Sequence, residues 1–230
     1  MIGEDGSRKP VFLDADVLAA PMSRTVLILA SVAGARFVPR WSLAAEAEAD
    51  RALRTGQTLV SAVRARFAWG TTVLVDTAPS QALGMVDTSE TDRHIIAAAR
   101  QAGIKTIVTR NVHDFGRADL DRLGMDAVHP DLFAATVLTR STYQVVLAAM
   151  SASRLRPPNT PAALHAALGA GHPRLFEAMA SLFPFVEAAA GDSNPPAEVF
   201  RGSRCLVCGE ELSDPESLAL GTGPGCRRAL

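Results

Sequence analysis

The sequence is poor in lysine and, outside its last 30 residues, has no cysteine. Lys9 and Lys105 are the only lysines, so its 23 basic residues are almost all arginine, and 24 acidic residues bring the net charge to −1. That balance excludes a chain-wide basic field, and nucleic acid would have to be met by a local patch. Long apolar runs are missing too. None reaches the ~18 residues of a membrane span, and the N-terminus has no signal-peptide core, so the expected compartment is the cytoplasm with no membrane partner. Cys205, Cys208 and Cys226 crowd into the C-terminal tail, a spacing that suits metal ligands rather than a disulfide framework.

What is present is a large apolar share, 48% of 230 residues, much of it alanine. This is enough for one full α/β domain and a smaller appendage, with a bias towards helix. Residues 1–9 are polar and expected to be loose. Val11-Phe-Leu-Asp14-Ala-Asp16 reads as a buried strand running into two acids. A helix is expected from Pro21 or Ser23 to Ala33, ended by Gly34, and another from Leu43 to Leu53 with Ser42 as its N-cap. Thr58–Ala68 reads as helix, Thr72–Val75 as strand and Asp76–Gly84 as loop. Ile95, Ile96, Ala99 and Ala102 form a helical core stripe closed by Gly103, followed by a β-branched strand from Lys105 to Thr109. Asp119–Leu123 is a short helix and Met125–Val128 a last strand. The alternation predicts a three-layer α/β fold, a parallel sheet flanked by helices. Beyond Asp131 the pattern is helical: Leu132–Met150, a break at Pro157–Pro161, then Ala162–Leu168 and Arg174–Ala190. Gly191–Pro196 reads as a linker. The organisation expected is a domain over 1–135, a helical extension over 136–190 and a small module over 197–230.

A parallel sheet would bring Asp14, Asp92 and Asp114 to one edge, where strand ends form the ligand crevice of open α/β folds. Clustered carboxylates repel unless a cation joins them, and a hard ion such as Mg²⁺ or Mn²⁺ suits oxygen ligands. Each acid also has a plainer reading. Asp92 follows Ser89 by three residues and would complete a capping box, Asp114 would be a turn residue, and Asp14 or Asp16 an Asx turn. Glu46 and Glu48 lie about 200° apart on a helix, so only one faces a given cleft. Glu46 reads as a solvated face, and His94 and His113 as structural or surface histidines. Asn111 would bond backbone in a turn or support a metal or carboxylate.

Four segments in order, Val-Phe-Leu-Asp14-Ala-Asp16-Val-Leu, Pro-Arg-Trp41-Ser42 with Glu48 six residues on, Asp92-Arg-His-Ile-Ile-Ala-Ala-Ala and Ile-Val-Thr109-Arg-Asn111-Val-His-Asp114-Phe, resemble the successive motifs of PIN-domain nucleases. The likeness is to the branch of VapC-type toxin ribonucleases and covers roughly residues 10–135. It implies metal-dependent cleavage of RNA, with Asp14, Glu48, Asp92 and Asp114 as the acids and Asn111 in support. It further implies Mg²⁺ or Mn²⁺ as cofactor and RNA as substrate, and leaves room for an antitoxin partner and a homodimer. Two positions depart from the pattern: Asp16 replaces the usual Asn, Ser or Thr, and Asn111 replaces Asp. The competing reading is a PIN-like scaffold, weak in catalysis, that holds RNA or a protein.

The tail, Cys205-Leu-Val-Cys208-Gly through Asp214-Pro-Glu-Ser217 to Gly223-Pro-Gly-Cys226, opens like a zinc knuckle. It resembles a small bacterial zinc-finger-like module. Three thiolates imply structural Zn²⁺, with the fourth ligand left to Asp214, Ser217, water or a residue from elsewhere. It contributes no acid to the motif set, so the chemistry is expected upstream of it.

Overall fold

In the computed structural model the described residues are 8–67, 74–75, 83–153, 160–189 and 198–229. Residues 1–7 of the expected loose start, most of the Asp76–Gly84 loop, the 157–159 part of the Pro157–Pro161 break and the Gly191–Pro196 linker lie outside them, while Lys9, expected loose, already belongs to the first strand. The Val-Phe-Leu run forms β1 (Lys9–Leu13), and Asp14 caps the short α1 (Ala15–Leu18) that follows it. Next come α2 (Pro21–Val32), β2 (Phe37–Ser42), α3 (Leu43–Ala52), α4 (Val60–Phe67) and β3 (Leu74–Val75). The stretch from Asp92 then gives α5 (Arg93–Gln101), β4 (Thr106–Val108), α6 (Arg117–Leu123) and β5 (Asp126–Val128). Ser42 caps α3 as its side chain implies, accepting from Ala45 N at 3.1 Å. Gly103 closes α5 at φ +69, a conformation that L side chains avoid. Of the expected stripe on that helix Ile95, Ile96 and Ala99 are buried, whereas Ala102 is exposed because the helix stops at Gln101.

The strands lie in the order β3-β2-β1-β4-β5-β6, with β6 (Phe200–Arg201) supplied by the tail. Pairs among β1 to β5 are all parallel, as expected. β6 pairs antiparallel with β5, setting Arg201 opposite Ala127 and Phe200 opposite Val128. The sheet is therefore mixed rather than purely parallel, because the chain returns along its last parallel strand. Phe12, Leu13, Ile107 and Val108 from the two central strands, with Trp41, Ile95 and Ile96, are fully buried. Strand order grows one way from β1 through β2 to β3 and the other way from β4 to β5. The reversal places a crevice at the carboxyl ends of β1 and β4.

The helical extension differs from its expected outline in two places. Leu132–Met150 is two helices, α7 (Pro130–Val137) and α8 (Arg140–Ser153), bent by 119°. Thr139 makes the break by accepting from Thr142 N at 3.2 Å. After α9 (Pro161–Gly169), the helix expected over Arg174–Ala190 is only α10 (Pro173–Ala178), then a 3₁₀ turn at Ala180–Leu182. The chain folds back there so that Phe176 and Phe183 stack on the buried His165, with ring centroids at 4.3 and 4.7 Å. Pro184 has no N–H with which to continue a helix. In the tail, α11 (Pro215–Leu220) and α12 (Pro224–Ala229) follow β6. No single described helix is long and apolar enough to cross a membrane.

Candidate functional site

Asp14 leaves β1 with its N–H bonded to the carbonyl of Val108, which ties the ends of the two central strands together. The next strand residue on the β4 side is Thr109, fully buried, whose hydroxyl donates to Asp16 Oδ2 at 3.2 Å. The N–H groups of Arg110 and Asn111 donate to the same oxygen, at 2.9 and 3.1 Å. Asp16 thus holds the turn after β4, which no simple Asx turn would do. Its other oxygen, Oδ1, is buried and has no hydrogen-bond partner. Burial is the main cause lifting both carboxyls above the ordinary range. For Asp14 the charges of Asp16 and then Asp92 add to it, while Thr109 and the N–H of Ala15 oppose it. A buried carboxyl beside a half-buried one, both resisting ionisation and the second with an orphaned oxygen, forms a place where positive charge is favoured.

The other expected acids stand at greater distance. Asp92 is the half-buried residue before α5, and its side chain makes no cap bond, so the capping-box reading fails. Its N–H bonds to Ser89 O, and Ser89 N bonds to Asp114 O, so the main chain of Asp114 braces the turn leading to Asp92. The Asp114 carboxylate faces His113 Nε2 at 3.2 Å. Glu48 is exposed and lies 4.0 Å from His94, in the first turn of the helix that Asp92 starts. Asn111 contributes its backbone, as above. Glu46, read from sequence as solvated, is instead buried: Trp41 Nε1 donates to it at 2.9 Å, and Arg64 reaches both of its oxygens at 2.8 and 3.2 Å. A further buried acid, Asp119, is structural. Burial raises its pKa, but the N–H groups of Thr88 and Val86 and the Arg122 guanidinium outweigh this and leave it below the usual range.

Around Asp16 the structure adds residues that sequence reasoning passed over. A cleft of about 390 Å³ is lined by Asp16, Arg110, Asn111 and His129. His129 caps α7, its Nδ1 accepting from Asp131 N at 3.3 Å. Burial first, then the charges of His172, Arg110 and Arg174, push its pKa down to about 4, so the ring is neutral at pH 7. A signal for this region was in the sequence: His129-Pro-Asp-Leu-Phe133 recurs as His172-Pro-Arg-Leu-Phe176, and each histidine begins a helix with proline in its first turn.

In the tail, Cys205, Cys208 and Cys226 bring their Sγ atoms within 4.8 Å of one another. Burial works against a Cys205 thiolate, but the N–H groups of Cys208, Gly223 and Val207 more than offset it and hold the pKa below the ordinary value. Such a set fits tetrahedral Zn²⁺, which needs thiolates at about 2.3 Å from the ion. Asp214 and Ser217 are otherwise engaged: Asp214 caps α11 through Ser217 N, and the Ser217 hydroxyl accepts from Arg227. Among the described residues, this is the one group of three or more ligand side chains at metal-binding spacing. The acids near β1 and β4 are more open than that.

Residues 195–230 match a family of unknown function (DUF6011), which covers the tail with β6 and leaves β1 to β5 unassigned. No curated protein and no solved structure matches the chain.

Proposed function

We propose that the chain is a metal-dependent endoribonuclease on a three-layer, PIN-like fold of the VapC-type toxin branch. The observation that carries this reading is the Asp14–Thr109–Asp16 arrangement at the strand-order reversal, with Asp16 Oδ1 buried and unpaired. An oxygen-binding cation, Mg²⁺ or Mn²⁺, fits that donor set. Asp14 and Asp16 would hold it with Asp92, whose charge already reaches Asp14, while Glu48 and Asp114 flank the site. Bound there, the ion would supply a nucleophilic water and neutralise charge on the phosphodiester. The protein's part is to keep two carboxyls close at the strand ends, to steady the 109–111 turn through Asp16, and to keep His129 neutral as a hydrogen-bonding wall. RNA is the proposed substrate and an antitoxin a candidate partner. The tail carries structural Zn²⁺ in this reading.

A second reading has an observation in its favour. The acids do not close to metal-binding spacing, as a scaffold that holds RNA or a protein without cutting would allow. Incubating cellular RNA with the protein, with Mg²⁺ present, omitted or chelated, and mapping the ends separates the two. The nuclease reading expects Mg²⁺-dependent cuts that leave 5′-phosphate and 3′-hydroxyl ends. It also expects Asp14→Asn and Asp16→Asn each to lower the rate at least ~10²-fold, the scale of losing a charge-stabilising group. Full activity in both variants would refute it.

A further inference from the structure

Next to the acidic cleft lies a larger one of about 670 Å³. Arg110 and His129 line both, so an occupant of one touches the wall of the other. Three features of the larger cleft point to a ligand of its own. The first is charge. Arg54 and Arg110 line it, and the acid on its wall, Asp131, is consumed in holding α10, accepting from Arg174 N at 3.1 Å and Leu175 N at 3.0 Å. The second is the start of the 12-residue α2, which opens into it with Pro21 in its first turn and no side-chain cap from Ala20, leaving the positive end of the helix dipole for a ligand. The third is His172, which is 3% exposed. Its Nε2 meets Ser23 Oγ at 2.9 Å, while its Nδ1 is buried without a partner. Burial first, and the Arg110 charge after it, keep this imidazole below its usual pKa in spite of Asp131, so at pH 7 it is a neutral hydrogen-bonding group. An unmet buried polar atom costs free energy that a ligand's polar edge recovers.

We propose that this cleft seats one nucleotide of a single-stranded RNA beside the bond cut at the acidic cleft, its phosphate against Arg54 and Arg110 and its base edge towards His172. A space of several hundred cubic ångströms suits a nucleotide-sized ligand. Arginine forks match phosphate oxygens, and neutral imidazole pairs with base edges, so the combination selects a nucleotide over a bare anion. The neighbouring strand of the substrate is thereby fixed by contacts that the helical extension supplies through α9 and α10. The inference rests on the nuclease reading for the identity of the polymer and for the place of the cut, but not for the nucleotide site itself.

The full-length protein, without added divalent metal, is titrated with a nucleoside 5′-monophosphate, with the nucleoside and with inorganic phosphate. Binding is followed by calorimetry and by the histidine ring signals in NMR. The monophosphate is expected to bind more tightly than either fragment and to shift the His172 ring signals. Arg54→Glu, at an exposed position, should weaken it by about tenfold or more, as loss of a charge-assisted contact implies. His172→Ala should remove the preference over inorganic phosphate. The proposal is overturned by no monophosphate binding, by phosphate binding as tightly as the nucleotide, or by affinity that ignores Arg54→Glu. Nucleotide binding in a protein that cuts no RNA would sustain the site and sink the nuclease reading instead.

Discussion

Glu46 and Glu48 sit two residues apart on α3 and face different surroundings. Glu46 is clasped by Arg64 and by the indole of Trp41, with 7% of its side chain exposed. Glu48 is 54% exposed and looks across to His94. Replacing Glu46 with Gln removes the charge from a bidentate pair and should cost about 1–3 kcal/mol of stability. Glu48→Gln should leave stability within roughly 0.5 kcal/mol, as surface changes do, and lower RNA cleavage instead. Urea unfolding and cleavage measured on the same two variants decide this. If Glu46→Gln stops cleavage in a stable protein while Glu48→Gln does not, the helix acid has been assigned to the wrong face. The angular argument from sequence separates these residues, but no local signal marks Glu46 as the buried one. That depends on Arg64, 18 positions away and on another helix.

At the scale of elements, what was legible was whatever a local signal ends. Ser42, Gly103 and the β-branched run of Lys105 to Thr109 marked their boundaries to within about a residue, because caps, positive φ and χ1 stiffness act within a few residues. β2 was not separated out from the segment before Ser42, since Pro39 demotes a strand by any local rule. The Thr139 break was hidden because α7 is buried nearly all round and α8 on one side, so the apolar pattern runs on without a gap. The pairing of β6 with β5 was invisible for a different reason: a two-residue strand has no pattern, and its partner lies over 70 residues away. Asp126 reports on that junction. It accepts from Ser203 N at 3.2 Å, and Gly202 passes so close that a Cβ there would collide with its carboxyl. Burial pushes its pKa up to about 6. The folded state then holds a proton that the unfolded state releases, so this stabilisation is full below about pH 4 and is lost as pH rises to about 6. Over that range the effect is on the order of 3 kcal/mol. His129 opposes it: its lowered pKa makes the folded state lose stability as pH falls from 6.5 towards about 4. The wild-type curve sums these two with the other displaced groups, Asp14 and Asp16 among them. Asp126→Asn keeps the acceptor for Ser203 and drops the titration, so subtracting its pH 4–6.5 stability profile from the wild type should isolate the falling limb. Parallel profiles would mean that Asp126 ionises freely.

At the scale of the whole molecule, the tail belongs to the sheet although its sequence reads as a separate module. His129 N bonds to Val199 O, Lys9 Nζ reaches Val207 O, and Arg201 Nη1 donates to the carbonyls of His113 and Phe115, on either side of Asp114. From sequence, the tail adds no acid to the four motif acids. Its contacts nonetheless end on the turn that carries one, and on the start of α7 where His129 lines both clefts. The tail's own buried apolar set is small, chiefly Val199, Phe200, Cys205 and Leu212, too little to order it without help. A metal at the three cysteines would provide that help, and its removal should propagate. Cys208→Ser with Cys226→Ser, or a chain ending near Gly191, is therefore expected to melt several degrees lower. Exposing Phe200 alone is worth about 1.5–3 kcal/mol, and each kcal/mol moves a chain of this size by roughly 2–4 °C. Amide exchange should quicken at His129, whose N–H loses Val199, and at Asp114 and Phe115, whose turn loses Arg201. Elemental analysis should find about one zinc per chain in the intact protein and none in the variants. If melting and exchange are unchanged in a variant that has lost its zinc, the tail is an independent module after all, and Arg201 merely rests against a turn that stands without it.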